Sequence, residues 1–332
     1  MELVRWGIVG TGRMATTMAA EITAMGSSSC TLTAVASRRL SSARTFADRY
    51  GAANAWGSVT ELANDPTVDA VYIATPHSEH SAHMLVCIAA NKAVLCEKPF
   101  TLNADEAERV AAAARTSGTF VMEAMWTRFL PAVVALRELL ASHAIGRVQV
   151  ISGGGAFVPE FVPEHYLFNR ELGGGVLLDA GVYLVSMASM ILGTPTRILA
   201  SGSVGQRGVD EQNAIVLEYA DGANALLYVS LRTRRAPDLE ILGDAGRIRI
   251  AAPIFKPAQL TVWTRDAVAR TDEYPISGSG YGYQIREVCD ALRAGRSESS
   301  VMPLNETLSI MHTLDSIRGQ IGVRYPSEQV RH

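Results

Sequence analysis

Asp179 and Tyr183 stand four positions apart inside the apolar run LLDAGVYLV, residues 177–185. A carboxylate in such a setting is costly unless it is paired or hydrogen-bonded. On a helix, positions i and i+4 share a face, so the spacing predicts that the two side chains project together. A carboxylate beside a phenol can hold a substrate hydroxyl and pass a proton. The residues alone equally allow a core tyrosine with an aspartate satisfied by local backbone. The preceding glycines, Gly173 to Gly175, let the helix start close against another backbone or a cofactor.

A second cluster lies near the N-terminus. GIVGTGRMA sets Gly10, Gly12 and Ala15 in a G-x-G-x-x-A spacing, after a strand pattern and ahead of a helical one. The first glycine permits a tight turn and the second lets backbone approach a pyrophosphate. The small third residue lets helix and strand pack, with the anion on the helix N-terminus. Arg13 and Met14, at the start of that helix, join the expected cofactor contacts. The second strand ends in Ser37, Arg38 and Arg39, where an NAD site normally places an acid for the ribose. A hydroxyl and guanidinium groups suit a 2′-phosphate, which predicts NADP(H) over NAD(H). The competing reading is that the arginines merely start a solvated helix.

Two further strand ends carry polar groups. TPHSEHSAH follows the fourth strand and CEKPF the fifth, so Thr75, Pro76, His77, His80, Glu97 and Lys98 leave the edge where open α/β sheets bind ligands. His77, His80 and His83 are three apart, but with Glu79 read as pointing elsewhere no acid or cysteine completes a zinc set, and no metal is expected.

Positioning these groups requires a sheet. RWGIVG, LTAVAS, AVYIAT, AVLCE and FVMEAM are short apolar runs, alternating with helical segments such as NADEAERVAAAARTSG, for which Asn103 is the expected N-cap. That rhythm predicts a Rossmann-type, doubly wound parallel sheet over residues 1–125. From residue 126 to 332 the chain predicts an α+β domain with an open, mostly antiparallel sheet. Its alternating runs include RVQVISGGGAF, RILASGSVG and NAIVLEYADGANALLYVSLR, with ADGA and GDAG as hairpin turns. No internal repeat or long linker is expected.

The 332 residues are 48% apolar and 19% charged, with a formal charge of −3, which gives no electrostatic case for nucleic acid or an anionic membrane. Val176–Leu192 is short for a membrane span and carries Asp179, so it is read as a buried helix. The N-terminus shows no signal-peptide pattern. Cys30, Cys87, Cys96 and Cys289 form no CxxC and are read as small buried hydrophobes. The expectation is a soluble, cytoplasmic protein.

GIVGTGRMA, ATPHSEH, CEKPF, MEAMWTRFLP and LGGGVLLDAGVY, with the closing NETLSIMHTLDSIRGQIGVRYP, resemble successive motifs of the glucose–fructose oxidoreductase/inositol dehydrogenase (Gfo/Idh/MocA) family. The branch most similar is that of trans-1,2-dihydrodiol and D-xylose dehydrogenases. The resemblance implies hydride transfer between nicotinamide and a sugar, sugar-derived carbonyl or vicinal diol. It makes Tyr183 the acid/base, helped by Lys98 and Asp179 at the nicotinamide. A free phenol titrates near 10, and a nearby cation lowers that by roughly 1–3 units. Trp126, Arg128 and Phe157 become candidates for the substrate wall. Tyr166 stands where relatives often carry arginine, and Arg170 where they often carry proline. An uncovered sheet predicts a homodimer or higher homo-oligomer. Two alternatives stay open: a non-catalytic dinucleotide-binding regulator, and a redox-assisted eliminase or glycosidase that retains its cofactor.

Overall fold

The computed structural model describes residues 3–26, 29–265 and 267–328. The chain forms two compact units, Met1–Trp126 with Ser277–Leu308, and Thr127–Ile276 with Ser309–His332.

The first unit is built on six strands: β1 (Val4–Val9), β2 (Cys30–Ala36), β3 (Asn54–Trp56), β4 (Ala70–Ile73), β5 (Ala93–Cys96) and β6 (Val121–Glu123). They lie in the order β3-β2-β1-β4-β5-β6, every neighbouring pair parallel. The connections are helices α1 (Arg13–Met25), α2 (Leu40–Tyr50), α3 (Val59–Ala63), α4 (His80–Ala89) and α5 (Ala104–Ser117). Every residue of β4 and β5 is buried, which is why these strands read as unbroken apolar runs. Strand order reverses between β1 and β4, so the ligand-binding switch point of this topology falls at their C-terminal ends. Asn103 caps α5 as expected, its side-chain oxygen accepting the Glu106 N–H at 2.9 Å. β3, only three half-buried residues, leaves no pattern in the sequence.

The second unit carries α6 (Pro131–Ala141), β7 (Val148–Ala156), α7 (Val182–Leu192), β8 (Arg197–Val204), β9 (Asp210–Glu218), β10 (Asn224–Ser230), β11 (Arg235–Gly243), β12 (Gly246–Ile250), β13 (Gln259–Thr264) and β14 (Ala267–Glu273). The eight strands run β14-β13-β12-β11-β7-β10-β9-β8 and are antiparallel except where β7 meets β10. ADGA forms the β9–β10 turn, closed by Tyr219 N–H donating to Ala223 O at 3.0 Å. Between β7 and α7 lie 3₁₀ turns at Tyr166–Phe168 and Arg170–Leu172, and then a π turn at Leu177–Gly181. The stretch Arg170–Leu192 is apolar and long enough to span a membrane by length and composition, and 67% of an apolar 18-residue segment within it is buried inside the protein. That burial is the mark of a core helix.

Two more helices follow, α8 (Gly282–Arg293) and α9 (Leu304–Ile321). Here the structure departs from a simple division near residue 125. Residues Ser277–Leu308 return to the first unit, and α9 starts in that unit and ends in the other. The cause is the apolar face of α8, where Ile285, Val288 and Cys289 are buried. α8 packs with α1, and the Glu21 carboxylate of α1 accepts the Ser279 N–H just ahead of α8. All four cysteines are buried free thiols.

Candidate active site

In the first unit the glycine loop has the expected form. Gly10 has φ of 109°, and a Cβ there would lie 2.6 Å from the Ala74 carbonyl oxygen, so no other residue fits the turn. A Cβ on Gly12 would meet nothing within 4 Å, which leaves open space in front of the loop. Gly12 caps α1 without a side-chain hydrogen bond, and the first turn of α1 holds no acid. The N-terminal N–H groups of α1 are therefore left for an anion, and these residues fit a dinucleotide pyrophosphate.

The end of β2 is similarly open. Arg38 and Arg39 are exposed. Among the described residues neither has an ion-pair partner, unlike Arg5, which pairs with Asp69 at 2.6 Å. α2 also begins without a side-chain cap or an acid in its first turn. Thr11, Ser41, Ser42, Thr45, Phe46 and Arg49 line an open cleft of about 370 Å³ beside it. The hydroxyls of Ser41, Ser42 and Thr45 follow the two arginines closely in the sequence.

The loops after β4 and β5 are braced to each other. His80 is fully buried, with Nδ1 2.9 Å from Pro99 O and Nε2 3.0 Å from Thr75 O. Burial pulls its pKa down to about 4, so the ring is neutral near pH 7. A neutral imidazole has one N–H and donates to only one of these carbonyls. His80 was expected among the cofactor contacts. Both its nitrogens face main-chain oxygens instead, so it acts as a strut between the loops after β4 and β5. Glu97 is corrected in the same way. Its carboxylate turns inward to accept the Tyr72 hydroxyl, and burial raises its pKa. Thr75 Oγ1 lies 3.1 Å from His83 Nδ1, and Glu79 stands 3.9 Å from His83 Nε2, not turned away as expected. His77 is buried with its ring 5.7 Å from that of His80, next to Pro76 at the start of the turn. Lys98 is half-buried, and its main-chain N–H donates to Glu97 Oε2 at 3.2 Å.

Trp126 and Arg128, expected at the substrate wall, both make contacts within the protein. Trp126 is buried and stacks on Tyr281, with centroids 4.3 Å apart and planes 14° from parallel. Arg128 is buried and donates from Nε to Ser186 Oγ at 3.0 Å and from Nη2 to Ser186 O at 2.6 Å. It is an anchor for α7, because a buried guanidinium must satisfy its donors within the protein.

In the second unit the partner of Asp179 is Tyr166, whose hydroxyl donates to Oδ1 at 3.0 Å. Tyr166 thus sets the environment of the aspartate directly. The expected α-helix through Asp179 is instead a π turn. That geometry widens the turn and alters the simple i, i+4 stacking of Asp179 and Tyr183; such turns recur at functional positions. Tyr183 opens α7 half-buried, its ring 5.9 Å from that of Phe255. Phe157 is 38% exposed and Phe161 57% exposed, in a loop that reads FVPE twice in tandem, a short repeat where none was expected. Phe161 packs edge-on against Phe168 at 4.9 Å. Arg170 is occupied elsewhere, donating to Arg324 O at 2.8 Å.

Comparison with known proteins agrees with these features. Residues 4–125 match a family described as an oxidoreductase family with an NAD-binding Rossmann fold, and residues 133–249 match the GFO/IDH/MocA C-terminal domain. Trans-1,2-dihydrobenzene-1,2-diol dehydrogenase of Mus musculus is 36% identical over 98% of this chain and 99% of its own. The Homo sapiens enzyme of that name is 34% identical over the same shares. Among solved structures, the 3-ketoreductase KijD10 of Actinomadura kijaniata, in complex with NADP and TDP-benzene, superposes with a TM-score of 0.86. It is 25% identical, with 96% of this chain and 98% of that one covered. The aldose–aldose oxidoreductase of Caulobacter crescentus shares the fold, with a TM-score of 0.87 at 21% identity and 96% and 97% coverage. With the glycine loop, the Asp179-bearing turn and both domain matches in place, this chain belongs to the Gfo/Idh/MocA family of NAD(P)-dependent oxidoreductases.

Proposed function

We propose that this protein is an NADP(H)-dependent dehydrogenase acting on a vicinal diol carried on a carbon ring, with sugars and sugar-derived carbonyls as the second substrate class. The observation that carries the reading is the Tyr166–Asp179 hydrogen bond on the π turn that leads into Tyr183. The bound nicotinamide would accept or supply the hydride. Tyr183 takes or returns the hydroxyl proton, Asp179 orients the substrate hydroxyl, and Lys98 is the cation that favours the phenolate. Tyr166 holds Asp179 to one orientation. Phe255 lies beside Tyr183, and Phe157 and Phe161 add exposed rings in the same unit, an apolar character that suits a ring with one polar edge better than a sugar whose hydroxyls all need partners.

The NADP(H) preference rests on the exposed Arg38 and Arg39 and the hydroxyl-lined cleft. Gly10, Gly12, Arg13 and Met14 would hold the pyrophosphate, and Thr75, Pro76 and His77 the next stretch of the dinucleotide. A homodimer is part of the proposal. Leu199, Val216 and Leu226 lie in register across β8, β9 and β10, with Leu199 and Leu226 exposed on one face. Light scattering that returns a monomer would refute that element alone.

The test is fluorescence titration with NADPH and NADH, followed by turnover on cyclic diols, pentoses and hexoses. Tight NADPH binding weakened by Arg38→Ala, with diol turnover lost at least ~100-fold in Tyr183→Phe, is the expected result. Near-normal turnover in Tyr183→Phe at saturating substrate would refute the acid/base assignment.

A further inference from the structure

We propose that Asp210 and Tyr325 are positioning residues that hold the turn carrying Asp179, an inference that rests on the catalytic reading of Asp179 and Tyr183. The sequence before this turn, GGGVL, supplies no side chain able to cap a helix. The first N–H groups of the π turn must find acceptors elsewhere, whereas α7 continues from the turn, the Val182 N–H donating to Leu177 O. The Leu177 N–H donates to Asp210 Oδ2 at 2.7 Å, from the first residue of β9. Asp210 thus caps the turn from 33 residues away in sequence. The second tie comes from the C-terminal segment, where the Tyr325 hydroxyl donates to Gly174 O at 2.8 Å across 151 residues.

Both ties are themselves fixed. Asp210 and Tyr325 are fully buried. Asn213 Nδ2 donates to Asp210 Oδ2 at 2.6 Å. Arg318 lies over the Tyr325 ring at 4.8 Å and pairs with Glu328 at 2.7 Å, while the Tyr325 N–H donates to Glu328 Oε2 at 2.7 Å. The backbone is shaped to receive the carboxylate. Gly175 has φ of 118°, and a Cβ there would lie 2.1 Å from Asp210 Oδ1. The carboxylate occupies the room that any other residue at 175 would need.

A π turn is a minor alternative to the α-helix and persists where outside contacts favour it. With the cap removed, Leu177–Gly181 relaxes toward α geometry, and Asp179 rotates away from the Tyr166 hydroxyl. The nucleotide-binding residues are untouched by this change, so the loss falls on turnover. Misplacing a reacting group by about 1 Å costs up to ~100-fold.

The experiment measures kcat, KM and NADPH affinity for Asp210→Ala, Asp210→Asn and Tyr325→Phe with the best diol. Asp210→Ala is expected to lower kcat roughly ten- to a hundredfold, with NADPH Kd changed less than about twofold. Asp210→Asn keeps an acceptor oxygen for the Leu177 N–H, and kcat is expected to recover to within about threefold of wild type. A merely structural role would lower the folded fraction and leave kcat per folded site unchanged in all three, which overturns the proposal. Should Asp210→Ala not fold, Tyr325→Phe decides: a selective fall in kcat supports the proposal, and wild-type kcat overturns it. Wild-type protein that turns over no diol or sugar refutes the functional reading, and this inference with it. Wild-type turnover left unchanged by these substitutions refutes the inference alone.

Discussion

Acidification from pH 7 to pH 4 should destabilise the first unit through His80, and His80→Gln should remove that component. The ring is fully buried between two carbonyls, and burial pulls its pKa from the ordinary 6.5 to about 4. In the unfolded chain it titrates near 6.5, so between these values the unfolded state binds more protons. Stability therefore rises with pH across this window and is lost as pH falls through it. At 1.36 kcal/mol per pKa unit the whole effect is about 3 kcal/mol. Glu97 and Asp210, whose carboxyls burial pushes up, work in the opposite direction over a neighbouring range. The difference between wild type and His80→Gln cancels them. Urea unfolding at a series of pH values, followed by tryptophan fluorescence, reads mainly the first unit, because Trp6, Trp56 and Trp126 lie there and only Trp263 in the other. The expected outcome is a gap between the two proteins that narrows by about 3 kcal/mol from pH 7 to 4. A gap independent of pH would refute the description of His80 as a neutral buried strut.

Tyr166→Phe removes the hydroxyl from Asp179, and kcat for the best diol should fall roughly tenfold with NADPH affinity unchanged, as measured by steady-state kinetics and titration. Arg128→Ala leaves Ser186 without its buried guanidinium and should cost about 3 kcal/mol of stability in denaturant melts, with little effect on nucleotide binding. Gly10→Ala forces a Cβ onto the Ala74 carbonyl and should abolish NADPH binding in the same titration. Trp126→Ala removes the stack on Tyr281 and should destabilise by roughly 3–5 kcal/mol, and a change confined to substrate KM would restore it to the substrate wall.

The sequence made the parallel sheet readable because strands buried on both faces are continuous apolar runs, as β4 and β5 are. The glycine loop was readable because its geometry admits only glycine at position 10. Asp179 and Tyr183 drew notice as polar groups in an apolar run, but the π turn between them has no local signature. The contacts of Arg128 and Trp126 with Ser186 and Tyr281 were not legible, since an arginine or tryptophan after a strand looks the same whatever its partner. Asp210 and Tyr325 left no signal, because the groups they hold lie 33 and 151 residues away.

The discontinuous first unit bears on how the protein is made. Its six strands and first five helices leave the ribosome early, yet α8, whose Ile285 and Val288 complete that unit's apolar cover, emerges more than 150 residues after Trp126. Until then the α1 surface that α8 will cover stays wet, and closure must bear the entropy of a long intervening loop. A nascent or truncated chain ending near Ile276 is thus a natural client for chaperones and proteases. Neither unit can be excised by cutting the gene at one point, and domain-swapping experiments in this fold need three junctions, one of them inside the continuous helix α9.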